Sequence, residues 1–355
     1  DEERIKKLIK NEETQFLLTL DKGIHILDST LAEGNKEIIS GDLAFKLHDT
    51  FGFPFDLTAD IAREKGIDID EKGFKKNMES QQQMSKASSS FVSKIPTAED
   101  LKETDFIGYE HMSSDSNVIA IWNKNEKIEL ANEPQEYFIA LNQTSIYAES
   151  GGQVGDRGWF KSKNAEGSIL DCKKSGKVFM HLIKLDKGSL KIDDKIEVNV
   201  NKEKREKTEA PHSATHLVHA ALKRVLGDHV KQKGSLVDEH KLRFDFSHDE
   251  SLSDEEISKI EDLVNEEILK NSAVSTKIMD LEDAKNSGAE SLFGEKCEDQ
   301  VRVLSIGEDD FSLELCGGTH ISRTGDLGIL IITSQSSVAS GVRRIEALSG
   351  PVSYT

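Results

Sequence analysis

Two short motifs hold residue types that bind metal: His212-Ser-Ala-Thr-His216 and Cys316-Gly-Gly-Thr-His320. Residues four apart on a helix stand on one face, so His212 and His216 can reach one ion, and His219 continues the stripe. The metalloprotease arrangement needs a glutamate directly after the first histidine as base, and Ser213 stands there, which disfavours that chemistry. Alone, the pair reads better as a polar helix face or as core histidines with partners of their own. In the second motif the glycines permit a tight turn that aims a thiolate and an imidazole inward. Alone, it reads better as a turn with a buried cysteine. Together the motifs supply three histidines and one cysteine, a tetrahedral zinc set, and the roughly one hundred residues between them exclude a short-spaced zinc finger. No Ser-His-Asp or nucleophilic-cysteine pattern is present, and Cys316 reads as a ligand before a nucleophile.

Charge frames what such a centre would act on. The 355 residues carry a net charge of −19, which argues against generic binding of polyanions. Between Lys202 and Lys233, however, eight Lys and Arg face four acids. A local basic patch suits a phosphate-bearing substrate; a solvated helix surface reads equally well. Arg343 and Arg344 occupy alternating strand positions, so one of them faces a given ligand. Gly151-Gly-Gln-Val-Gly-Asp-Arg-Gly158 lacks the Gly-Lys-Ser/Thr of a nucleotide P-loop. It reads as a tight loop or, more sharply, as a backbone-lined substrate edge through Gly151 and Gly152. Cys172, Cys297 and Cys316 are too few and scattered for a disulfide scaffold, which favours a reducing cytoplasm. No run approaches a membrane span or a signal peptide. The start at Asp1 hints at a longer protein.

The elements that must position these residues fall into three segments, an α+β organisation. Residues 1–95 read as helical: a long helix over 1–34 with Ile5, Leu8, Ile9, Phe16, Leu20, Ile24 and Leu27 as its apolar stripe and Gly34 as its stop, shorter helices over 41–49 and 56–65, a further one over 70–86, and a linker at Lys86–Ser90. Residues 96–204 read as a small antiparallel β-barrel, with strands at Val118–Trp122, Glu136–Leu141, Gly158–Lys161, Val178–Ile183 and Lys195–Val200. Residues 205–355 mix helices and strands. Pro211 suits the first turn of a helix ending at Gly227, and Ser253 with Glu256 forms a capping box for a helix to Lys270. Strands are expected at 242–246 and near 301–305, 312–316, 328–333 and 342–347.

At this level of detail the chain resembles the alanyl-tRNA synthetase family, and its bacterial form. His212-Ser-Ala-Thr-His216-Leu, Gln232-Lys-Gly-Ser-Leu-Val, Leu242-Arg-Phe-Asp-Phe-Ser-His248, Cys316-Gly-Gly-Thr-His320 and Gly341-Val-Arg-Arg-Ile-Glu-Ala347 are similar to that family's editing domain. Tyr147-Ala-Glu-Ser-Gly-Gly-Gln-Val-Gly-Asp-Arg-Gly158 resembles its barrel glycine motif, and His48-Asp-Thr-Phe-Gly-Phe-Pro-Phe-Asp-Leu-Thr58 its tRNA-recognition region. The resemblance implies hydrolysis of serine and glycine wrongly esterified to tRNA(Ala), because a pocket shaped for a methyl group cannot strongly reject an added hydroxyl. It implies one zinc ion on His212, His216, Cys316 and His320, Thr215 and Gln232 at the editing pocket, and Arg243, Lys231 and Lys233, with Arg343, Arg344, Gly151 and Gly152, along the tRNA end. Zinc there either activates water or positions substrate, and four protein ligands favour positioning. The family's aminoacylation core, with its ATP and Mg2+, and its oligomerisation module are not visible here, which implies a monomer without alanine activation. The rival readings are a free-standing deacylase acting in trans, which the helical 1–95 segment disfavours, and a non-catalytic zinc-stabilised tRNA-binding module.

Overall fold

The computed structural model describes residues 2–32, 38–51, 53–79, 95–98, 100–291, 299–350 and 353. Gly34, the linker at Lys86–Ser90, the end of the helix expected to reach Lys86, and Cys297 lie outside the described residues. The chain divides into two units, Asp1–Ser93 and Lys94–Thr355.

The first unit contains α1 (Glu2–Ala32), α2 (Gly41–Phe51), α3 (Phe55–Glu64) and α4 (residues 71–79). A short parallel pair, β1 (Ile38–Ile39) with β2 (Asp68–Ile69), ties the helices together. Pro54 stands as the N-cap of α3, with φ −59° and ψ 137°, which fits a ring that fixes φ and cannot donate. Leu27, Ile39, Ala44, Leu47, Phe53 and Ala62 form the core. The stripe expected along α1 is only partly buried: Leu27 is enclosed, whereas Ile9, Phe16 and Ile24 are exposed.

In the second unit a closed antiparallel barrel comes first. Its strands are β3 (Ser113–Asn123), β4 (Glu136–Leu141), β5 (Gly158–Ser162), β6 (Ala165–Ser175), β7 (Val178–Gly188) and β8 (Lys195–Val200). They pair in the order β8-β5-β6-β7-β4-β3, and β3 returns to β8 to close the ring. Closure leaves no edge in the ring, and alternate side chains fill its interior: Val118, Ile121, Ile139, Phe160, Ile169, Ile183, Ile196 and Val198 are buried there. Strand β6 was not expected, because Asp171, Lys173 and Lys174 blur its alternation.

The barrel leads into α5 (Lys202–Leu226). The expected start at Pro211 is therefore corrected by nine residues. Asn201 caps the helix, its Oδ1 accepting the Lys204 N–H at 3.1 Å, and Pro211 lies in the interior. A short donor-rich segment, Lys202–Glu209, extends the helix N-terminally and the proline is tolerated within it. Helix α6 (Asp254–Lys270) carries the capping box of Ser253 and Glu256. A four-stranded sheet runs in the order β9 (Gln232–Val237), β10 (Leu242–Ser247), β15 (Val342–Leu348), β14 (Ile331–Ala339). A second sheet runs β11 (Ser275–Asp280), β12 (Gln300–Ile306), β13 (Ser312–Leu315), with the short strand Glu290–Ser291 beside β13. The strand expected at 328–333 begins instead at Ile331, and β9 and β11 were not expected, their polar composition hiding them. Ala214, Leu217 and Val218 of α5, Ile260 and Val264 of α6, and Phe244, Phe246 and Ile345 of the first sheet share one core. The whole is an α+β fold containing a closed six-stranded barrel.

Arg205 locks α5 to the barrel. It is 2% exposed. Its Nε donates to Asp156 Oδ1 at 2.9 Å, and its two terminal nitrogens reach the carbonyls of Gly108 at 2.8 Å and Ser145 at 2.9 Å. Asp156 Oδ2 also accepts the Tyr147 N–H at 2.7 Å. Removing one member of such a pair strands the other charge in the interior. Arg205→Ala is expected to lower stability by about 3–5 kcal/mol, read as a shift in the urea midpoint of the purified chain, whereas Lys207→Ala, on an exposed pair with Glu203, is expected to change it by under about 1 kcal/mol.

Candidate metal centre

The ligand atoms of His212, His216, Cys316 and His320 lie within 4.8 Å of one another. Helix α5 presents the first two one above the other, with ring centroids 5.3 Å apart. Cys316 follows β13 directly and His320 closes the turn behind it. The His320 Nε2 lies 3.3 Å, and the His212 Nε2 3.5 Å, from the Cys316 Sγ. His212, His216 and Cys316 are buried, and His320 is partly exposed. Gly318 is there for space: a Cβ would stand 2.0 Å from His212 Cε1. The turn is clamped from outside by Arg302, which donates to the carbonyls of Cys316 and Gly318 at 3.1 and 2.9 Å, and by the Tyr109 hydroxyl, which donates to Gly317 O at 2.6 Å.

Each histidine is oriented by a partner on its other nitrogen. Gln153 Oε1 accepts the backbone N–H of Thr319 at 3.0 Å. A backbone N–H can only donate, so the amide oxygen must face it. The His212 Nδ1, 2.7 Å from that same oxygen, therefore carries the hydrogen, and Nε2 is left with its lone pair toward the cluster. Glu314 bridges the Nδ1 atoms of His216 and of His219, the latter at 2.6 Å. Ser213 Oγ, which accepts the Ile321 N–H, lies 3.2 Å from His320 Nδ1. Outer partners of this kind fix the tautomer and raise ligand basicity in metal sites. The His216 Nε2 is buried and has no hydrogen-bond partner among the described residues.

Electrostatics favour the ligand forms of Cys316 and His320 and hold His216 protonated, so that a metal ion would have to displace its proton. Burial opposes charge throughout, yet His212, His320 and His216 together hold the Cys316 thiol well below its ordinary range, toward the thiolate that binds metal. Burial pushes His320 down to about 3, which keeps it neutral, while for His216 the carboxylate of Glu314 and the sulfur of Cys316 outweigh burial and raise it to about 10. An orphaned buried nitrogen, a sulfur held as thiolate and three oriented imidazoles form a donor set that a metal ion fits.

The other sequence candidates are placed less uniformly. Thr215 is on the same stripe of α5 and is buried; its hydroxyl donates to Pro211 O at 2.8 Å, which leaves its lone pairs as acceptors. Gln232 begins β9 opposite Phe246, at the end of the strand remote from Val237, where Val237 meets Gln153. Gly152 packs against Ser235, a Cβ there falling 2.7 Å from Ser235 O, and has φ +87°. Gly151 is exposed beside it. Arg243 and Arg344 alternate with core residues Phe244 and Ile345, so they lie on the sheet face turned away from α5. Arg344 grips Asp245 through Nε and a terminal nitrogen at 2.6 and 2.8 Å; Arg343 reaches Gln335 on β14 at 3.2 Å.

The basic stretch is less basic than its composition. Lys202 pairs with Glu206, Lys204 with Glu239, Arg205 with Asp156, Lys207 with Glu203, and Lys223 with Glu290. Arg224 stacks on Phe311, its Cζ 3.4 Å from the ring centre. Among the described residues only the exposed Lys231 and Lys233 of the eight are without such a partner. Of the local basic stretch over 202–233, five cations are therefore held in ion pairs, three of them with acids of other elements. Gln153, Glu314, Arg302 and Tyr109 were missed. Only Gln153 left a trace in the sequence, inside the glycine motif.

Comparison with known proteins follows the geometry. A family model described as tRNA synthetases class II (A) matches residues 1–204. The chain belongs to this family. The model of the threonyl and alanyl tRNA synthetase second additional domain matches residues 301–346, which include Cys316 and His320. The alanine–tRNA ligase of Pseudomonas fluorescens Pf-5 is 48% identical over 352 residues, 98% of this chain. The chain spans 40% of the length of that relative. Both synthetase matches agree with the resemblance seen in the motifs. Within this synthetase chain, Gly318→Ala is expected to displace His212 and Glu314→Ala to release His216, each lowering metal affinity about 10–100-fold, measured by chelator competition.

Proposed function

We propose that the centre binds one zinc ion and hydrolyses serine and glycine esters of tRNA(Ala), removing what an alanine-specific synthetase attaches in error. The observation that carries the reading is the convergence of His212, His216, Cys316 and His320 within 4.8 Å in a chain 48% identical to an alanine–tRNA ligase. Zinc is favoured by the spacing. Zn–N near 2.0 Å and Zn–S near 2.3 Å at a tetrahedral angle place nitrogen and sulfur about 3.5 Å apart, and the cluster has them at 3.3 and 3.5 Å. Zinc held by these residues supplies a fixed positive charge beside the ester.

The chain's own side chains do the rest. Thr215, its hydroxyl hydrogen engaged by Pro211, offers an acceptor to the hydroxyl of a seryl group, which an alanyl group lacks. A site built to bond a hydroxyl discriminates against the analogue without it far better than a site that must exclude one. Gln232 remains a candidate for orienting water or the seryl hydroxyl. Lys231 and Lys233, exposed on and beside β9, are the cations best placed to meet the phosphates of a tRNA end, with Arg243 and Arg343 as secondary contacts. Residues 1–95 contribute to tRNA binding, 96–204 form the barrel subdomain and 205–355 the deacylase, in a cytoplasmic protein of translation. The competing reading is a non-catalytic zinc-stabilised tRNA-binding module; four protein donors already fill a tetrahedral shell.

The purified chain is expected to deacylate Ser-tRNA(Ala) faster than Ala-tRNA(Ala), with Cys316→Ala abolishing the activity and Thr215→Val reducing the preference for serine by about 10-fold. Background rates with zinc bound support the binding module. Equal rates for the two esters overturn the editing specificity.

A further inference from the structure

We propose that Arg302 is a phosphate contact for the single-stranded end of tRNA, held beside the donor cluster by the turn it clamps and by Tyr109. The contact rests on the reading above that this chain takes an acylated tRNA end, and it deepens that reading by naming a cation next to the centre.

Three of the four donors are buried and His320 is partly exposed; Gly317, in the same turn, is exposed. The Cys316–His320 turn is therefore the accessible side of the cluster. Arg302 stands beside it on β12, its carbonyl accepting the Cys316 N–H at 3.0 Å. One terminal nitrogen, Nη1, donates to the carbonyls of Cys316 and Gly318 at 3.1 and 2.9 Å. The guanidinium lies over the Tyr109 ring, its Cζ 4.2 Å from the centroid, while the Tyr109 hydroxyl holds the intervening carbonyl of Gly317 at 2.6 Å. Two carbonyls and a ring face fix this long side chain in one orientation, so little rotamer freedom is lost when a ligand arrives.

The other edge of the guanidinium is left for a ligand. The group carries its N–H donors in a rigid fork, and Nη1 serves the turn. Among the described residues Nε and the second terminal nitrogen, Nη2, bond nothing. No carboxylate there pairs with Arg302 as Asp156 does with Arg205 and Asp245 with Arg344. Nor are these two nitrogens among the buried polar atoms without a partner, so both reach solvent, beside a Tyr109 that is 46% exposed. Parallel N–H groups on Nε and Nη2 match two oxygens of one phosphate, which a lysine ammonium does not. The other cations proposed for tRNA stand elsewhere. Lys231 and Lys233 lie at the end of β9 remote from Val237, and Arg243 is on the sheet face turned away from α5. In a chain of net charge −19, a phosphate brought to the centre needs a local cation, and Arg302 touches the turn itself.

The test is binding of uncharged tRNA(Ala) to the full chain across a salt series. Each phosphate contact to a single strand adds about 0.7 to the steepness of log affinity against log salt. Arg302→Gln, which keeps an amide N–H for the turn, is expected to bind about 10-fold more weakly at low salt, with a slope shallower by about 0.7. Arg302→Lys keeps the charge and the wild-type slope. On tRNA(Ala) trimmed of its single-stranded 3′ end, Arg302→Gln and the wild-type chain bind alike. An unchanged slope in Arg302→Gln, an equal drop in Arg302→Lys, or a difference that persists on the trimmed tRNA overturns the contact. Should Arg302→Gln not fold, phenylglyoxal treatment of the wild-type chain, read by mass spectrometry, decides. Modification of Arg302 that tRNA(Ala) suppresses supports the contact; modification that tRNA leaves unchanged, or none in either state, overturns it. A wild-type chain that does not bind tRNA(Ala) at any salt overturns the tRNA reading instead, so the two failures are distinguishable.

Discussion

A guanidinium shut away from solvent has to be surrounded by oxygen, and Arg205 finds that oxygen on the barrel. This pairing sets where α5 begins its course. Asp156 belongs to the loop that also holds Gln153, so the carboxylate that docks the helix and the amide that orients His212 arrive on the same few residues. Once the second turn of α5 is seated, the helical repeat delivers His212, Thr215, His216 and His219 along one stripe. Strand β13 then brings Glu314 and Cys316 to meet them. His212, His216 and Cys316 are buried, so their polar atoms need partners from the chain or from a bound ion.

The cluster is consequently a junction of three pieces of chain that are distant in sequence. Gln153 is 59 residues from His212 and Glu314 is 98 residues from His216. The ligand types and their order were legible because helical spacing and a Cys-Gly-Gly-Thr-His turn are local patterns. The barrel was legible through alternating runs such as Glu136–Leu141 and Lys195–Val200, which match the observed strands. What escaped was non-local. No local rule assigns Glu314 to a histidine nearly a hundred residues away, and none shows that Glu239, Asp156 and Glu290 would neutralise lysines and an arginine of α5. Composition counted those cations as a patch; folding spent most of them on ion pairs.

The same distinction explains the errors in secondary structure. Pro211 looked like the first residue of a helix because its missing N–H is harmless there. It is in fact interior, where the ring leaves a carbonyl of the preceding turn without its usual donor. The nine residues ahead of it are Lys- and Glu-rich and helix-permissive, and the Asn201 cap with the Arg205 anchor is enough to start the helix early. Strands β9 and β11 are polar and lie at sheet edges, where alternation is weakest as a signal.

The dependence of His212 on Gln153 bears on how such a protein can be rearranged in evolution. Among the described residues the barrel supplies none of the four clustered donors, and by that count alone it would pass for a spacer that recombination could exchange for any other barrel. Yet the acceptor that selects the imidazole tautomer comes from its loop, as does the acid that seats the helix. A shuffled chain with a foreign barrel would inherit all four candidate donors and lose the means of aiming one of them. The heritable unit of the centre is therefore the barrel loop, helix and turn together.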